Sequence, residues 1–180
     1  ARRYLTEAVG GLFRAVPHLG GLINISHGER ATSCLSSLAS TGEGRIQCPV
    51  CSQKQPWEIL YATLEPMEQA MHAVAPDADL ISWLYMPQPQ GPVKSTLADW
   101  VYDIPAHTPP GVILQFNFES GVRRQVFGRE LIGGDYWLSN PGPSDRFERV
   151  AESARAAGTA VSAKIQTGCS HEVASIPFVP

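Results

Sequence analysis

Helix-period and strand-period apolar segments alternate along this chain, which predicts an α/β fold with parallel strands, specifically a partial (β/α)8 TIM barrel. Two architectures are open to such an order, a doubly wound sheet and a barrel. The glycines decide between them. Gly10-Gly11 lies inside a helix-period segment and Gly133-Gly134 in a loop, so no strand is followed by a phosphate-binding glycine turn, and the barrel is favoured. The 180 residues read as one partial domain, 1–180, whose two ends look cut: there is no initiator Met, and Phe178-Val179-Pro180 follows directly on an apolar segment.

Each element has its own signal. Leu5, Ala8, Val9, Leu12, Phe13 and Val16 form one apolar stripe at helical spacing, which Pro17 and Gly20-Gly21 end. Leu22-Ile23-Asn24-Ile25-Ser26 is a short β-branched run and reads as a buried strand with a polar end, His27-Gly28-Glu29-Arg30. A Gly/Ser-rich loop with three cysteines leads to Pro56, a good first helical residue, and Ile59, Leu60, Leu64, Met67, Met71 and Val74 continue at helical spacing. Residues 80–85 form the second strand candidate, ended by Pro87 and Pro89. After a short helix-like segment at 95–102, residues 111–118 form the third. Residues 119–143 read as one long loop, of a size usually associated with function. Ser144 or Asp145 caps the next helix, Glu148 completing a capping box for the latter, and Gly158 ends it. Residues 159–166 form the fourth strand candidate.

Composition narrows the partners. Lys+Arg 14 against Asp+Glu 17, a net charge of -3 and the lack of any basic run speak against nucleic acid. No apolar stretch approaches the roughly 20 residues that span a bilayer, so a soluble protein without membrane association is expected, a cytoplasmic location being favoured. Four cysteines are too few for a disulfide scaffold in a chain of this size.

In parallel α/β folds the reactive groups gather at the carboxyl ends of strands. Here those ends carry His27 and Glu29, Asn117 and Glu119, and His171 and Glu172. Two carboxyls facing one another across such a mouth can cleave an acetal, one protonating the leaving oxygen while the other attacks or activates water. A Glu just beyond a strand is more often a solvated loop residue, and only the coincidence of position favours Glu29 and Glu172 as a pair. Trp83, Tyr85 and Tyr136-Trp137 can stack on sugar rings, although Trp83 fits a core position equally well. Arg123, Arg124 and Arg129 can pair with a carboxylated sugar or simply face solvent. Cys48-x-x-Cys51 offers two corners of a tetrahedral metal, Cys34 a third, and His27 or Cys169 a fourth, while a disulfide and free thiols remain open. Any such metal, zinc by its sulfur donors, would be structural. His18, His72 and His107 are read as surface or packing residues.

The segments 20–29 (Gly-Gly-Leu-Ile-Asn-Ile-Ser-His-Gly-Glu), Cys48-Pro49-Val50-Cys51, 164–172 (Lys-Ile-Gln-Thr-Gly-Cys-Ser-His-Glu) and 177–180 (Pro-Phe-Val-Pro) resemble a group of bacterial glycosidase-like barrel proteins. The resemblance implies a fragment covering about barrel strands four to seven. It places the acid/base on Glu29 and the second carboxylate, nucleophile or base, on Glu172. Asn24, His27, Arg30, Glu119, Trp137, Gln166 and His171 would then line the sugar site of a glycoside hydrolase, the acid being kept protonated by partial burial and a charged partner. A non-catalytic carbohydrate-binding barrel and a zinc-stabilised interaction module are the rival readings. No cofactor is required by the chemistry.

Overall fold

The computed structural model describes residues 1–29, 31–85, 97–132 and 142–165. Four short parallel strands form one sheet: β1 (Gly21–His27), β2 (Asp79–Leu84), β3 (Val112–Asn117) and β6 (Val161–Lys164), side by side in that order. Each strand therefore lies beside its predecessor in the sheet, with no reversal of direction. Right-handed crossovers that always step the same way put every connecting helix on the same face. This is an α/β fold with a parallel sheet alternating with helices, and its order is compatible with part of a barrel.

The strand register divides the residues between two faces, because side chains alternate along each strand and registered residues of parallel neighbours share a side. One face carries Leu80, Leu84, Leu114 and Phe116, all buried, beneath the helices. The other carries the row Ile23, Ile81, Ile113 and the row Ile25, Trp83, Gln115, Ser162. All but Ile23 are half-buried, and Ile23, on the edge strand, is 59% exposed. A doubly wound sheet would bury both faces under helices.

The helices form where the apolar periods predict them. In α1 (Arg2–Ala15), Val9 and Phe13 are buried and pack toward α2 (Pro56–His72), which inserts Leu60, Leu64, Met67 and Met71 into the core. Pro56 sits in the first turn of α2, and the Gln55 amide donates to Glu58 Oε2 at 2.7 Å, so the first turn is satisfied locally. α3 (Asp99–Asp103) is a single turn and a half that runs into a 3₁₀ turn at Ile104–His107. α4 (Asp145–Ala157) is capped by Ser144, whose hydroxyl accepts from the Phe147 amide, and ends on Gly158 in a left-handed conformation, φ 70°. Ser144, not Asp145, is thus the cap.

One expectation fails. Within 119–143 the chain does not stay a loop: β4 (Arg123–Val126) and β5 (Arg129–Ile132) pair as an antiparallel hairpin. Phe127 and Gly128 both have positive φ, 50° and 73°, the backbone twist that suits a two-residue hairpin turn. Phe is an unusual occupant of such a position, which hides the turn from a reading based on Asn-Gly or Asp-Gly signals.

Candidate functional site

The carboxyl end of β1 opens into a cleft of about 640 Å³ whose lining includes His27, Glu29, Ser36, Leu38, Thr41 and Glu43. Its geometry begins with Gly28. At φ 103° that residue turns the chain away from the sheet, and a Cβ placed there would lie 1.8 Å from the Tyr85 carbonyl oxygen. Only glycine lets the ends of β1 and β2 approach this closely, and the Tyr85 amide donates to the His27 carbonyl at 2.9 Å across the gap. Glu29 follows, exposed in the cleft. The partial burial expected for a proton donor is therefore not supplied by the described residues.

His27 is buried, its Nε2 donating to the Leu38 carbonyl at 2.7 Å and its ring set edge-on to Trp100 with centroids 5.3 Å apart. Burial lowers the imidazole's pKa below 6.5, the Leu38 bond only partly opposing this, so the ring is neutral at pH 7 and Nδ1 carries the lone pair. Among the described residues Nδ1 has no hydrogen-bond partner, and neither has the buried indole Nε1 of Trp100. A buried acceptor beside a buried donor, both unmatched, is a costly arrangement that a hydroxyl or a water would relieve. The sequence reading marked His27; Trp100 it passed over, since a lone Trp in a short helix carries no chemical signal.

Glu119, just beyond β3, is also buried but does not line this cleft. Asn24 lies elsewhere again. Its register with Ser82 puts it on the helix side of the sheet, where its Nδ2 donates to Ser26 Oγ at 2.8 Å and Ser26 shares a 2.7 Å hydroxyl bond with Ser82. Asn24 thus belongs to a polar strip under the helices and does not line the cleft. Arg30, Trp137, Gln166, His171 and Glu172 fall outside the described residues, as do Tyr136 and Cys169.

On the opposite face of the sheet a second group forms at the same end. Trp83 Nε1 donates to Asn117 Oδ1 at 2.8 Å, Tyr85 meets the indole edge-on at 5.1 Å, and Lys164 Nζ lies 4.7 Å from its ring centroid. Trp83 is neither plain core nor a free stacking platform, since a cation already occupies its ring. Asn117 and Lys164, each the last residue of its strand, complete this cluster. Lys164 was missed by the sequence reading, although strand-terminal position was the available signal.

The three cysteines do converge. Cys34 opens a 3₁₀ turn (Cys34–Ser37), Cys51 opens another (Cys51–Gln53), and the sulfur atoms of Cys34, Cys48 and Cys51 all lie within 4.8 Å of one another as free thiols. This group can hold a metal ion. His27 is not part of it.

No helix among the described residues is long and apolar enough to cross a membrane. Comparison with models of protein families, with curated proteins and with solved structures finds no match.

Proposed function

We propose that this chain is part of a (β/α)8 barrel glycoside hydrolase in which Glu29 protonates the glycosidic oxygen and Glu172 acts as nucleophile or base. One observation carries the reading: Glu29 stands in an open cleft at the carboxyl end of a parallel strand, two residues beyond a neutral buried imidazole. The helices on one face and the monotonic strand order support the barrel. A sugar hydroxyl, at once donor and acceptor, is the natural complement to the unmatched Nδ1 of His27 and Nε1 of Trp100.

The chemistry balances with these two acids. Glu29 gives its proton to the leaving oxygen as the anomeric C–O bond breaks. Glu172 then either takes the anomeric carbon into an ester, which water hydrolyses while Glu29 recovers its proton, or removes a proton from the attacking water directly. Carboxyls about 5 Å apart select the first course, and about 6.5–9.5 Å the second. Arg30, Trp137, Gln166 and His171 belong to the sugar-binding set by sequence position. Within this reading the cysteine group is structural and zinc is its ion, because three thiolates leave it little Lewis acidity.

Glu29→Gln and Glu172→Gln, assayed on a panel of aryl glycosides, test the proposal. Each is expected to lose about 10²–10⁴-fold in kcat with an unchanged far-ultraviolet circular dichroism spectrum. Hydrolysis at the wild-type rate in both variants refutes it.

A further inference from the structure

The cysteine triad and the cleft belong to one strip of chain. Cys34 begins the segment whose next residues, Ser36 to Gly44, form the cleft wall, and Cys48 and Cys51 close that segment just before α2. Within the wall Leu38 pairs with Gly44 and the Ala39 amide donates to Glu43 O at 2.7 Å, while the Ala98 amide donating to Ser40 O at 2.8 Å, the Thr32 amide donating to Ser36 Oγ at 3.2 Å and the buried side chain of Leu35 tie it to the rest of the fold. The Leu38 carbonyl ties the wall to the site, accepting from Nε2 and so fixing the ring of His27. The triad thus bounds the strip that orients His27.

We propose that Cys34, Cys48 and Cys51 bind a thiophilic divalent cation, zinc foremost, and that this ion is the clamp that holds the 34–44 wall of the cleft, and through Leu38 the imidazole of His27, in place. Two features of the triad agree with a metal site. Tetrahedral zinc with bonds of about 2.3 Å to sulfur sets its sulfurs about 3.8 Å apart, so the observed spacing needs only a small contraction. The Cys48-x-x-Cys51 turn is closed by the Ser52 amide donating to Cys48 O at 2.8 Å, and the Cys51 and Val50 amides donate to the Cys48 sulfur, the amide-to-sulfur bonding that orients a metal-ligating cysteine. The described residues supply three donors, and water or a fourth side chain completes the tetrahedron.

Closing the strip between Cys34 and Cys48 through a metal removes loop freedom from the wall much as a crosslink would. The inference does not rest on the hydrolase reading, and its measurement needs no substrate. The full chain, stripped with chelator under reductant, is titrated with Co²⁺ and then Zn²⁺. One equivalent of cobalt should produce a sulfur-to-cobalt charge-transfer band and strong tetrahedral d–d bands, which zinc then displaces. Cys34→Ser and Cys48→Ser should each lose that spectrum. Zinc should slow amide exchange of residues 35–44 by about tenfold while leaving β2 and β3 unchanged. Absence of the cobalt–thiolate band in the wild-type chain overturns the site. A band without any change in exchange at 35–44 overturns the clamp.

Discussion

Alanine at position 28 would drive a methyl group into the backbone of the neighbouring strand. The new Cβ would lie 1.8 Å from the Tyr85 carbonyl oxygen and 2.8 Å from its carbon, so the two strand ends must separate by roughly 1.5 Å to reach ordinary contact. That movement costs about 1–3 kcal/mol as overpacking and strains the bond from the Tyr85 amide to His27 O. A side chain held at φ 103° adds about 1–2 kcal/mol. The expected total is about 3 kcal/mol. With a urea slope of about 2 kcal/mol/M the unfolding midpoint should fall by about 1.5 M at unchanged slope. Gly11→Ala is the internal control, because Gly11 lies inside α1 with nothing within 4 Å of its added Cβ. There the loss of backbone freedom in the unfolded chain works the other way, and the midpoint should rise by about 0.5 M. A Gly28→Ala midpoint within about 0.3 M of wild type would refute the argument that the cleft is built on this contact.

Other outcomes follow from the same packing. Leu114→Ala, at a fully buried position on the helix side of the sheet, should cost about 2–5 kcal/mol, whereas Ile23→Ala on the open face should cost under about 1 kcal/mol; equal losses in urea unfolding would mean the faces are assigned wrongly. His72 shows the sign of a pH effect. Burial opposes its charge, but Glu68 Oε1 at 2.7 Å, the Ala78 carbonyl at 2.8 Å and the nearby Asp79 outweigh this and raise its pKa above 6.5. Its contribution is full below about pH 6.5 and disappears as pH rises through the raised value, so the stability difference between wild type and His72→Gln should be largest in acid and shrink as pH climbs above 6.5. A constant difference would show that the imidazolium is not what is bound.

Much of the architecture was legible before folding because its causes are local. The apolar stripe Leu5 to Val16, Pro56 at a helix start and the β-branched runs of β1 and β3 each predict an element from a few neighbouring residues. The hairpin at Arg123–Ile132 escaped, since its turn rests on a Phe with positive φ that no composition rule selects. The cysteines were legible as Cys-x-x-Cys plus a candidate third.

Everything that depends on facing was decided only when the elements packed. Alternation along β1 turned Asn24 toward the helices while the register with β2 put Ile23 on the open side. Cys34 reached Cys48 and Cys51, and His27 was buried against Trp100, through contacts between residues distant in the chain. Periodicity and capping are properties of a short segment in water. Burial, register and the spacing of sulfurs are properties of surfaces that exist only once distant segments meet.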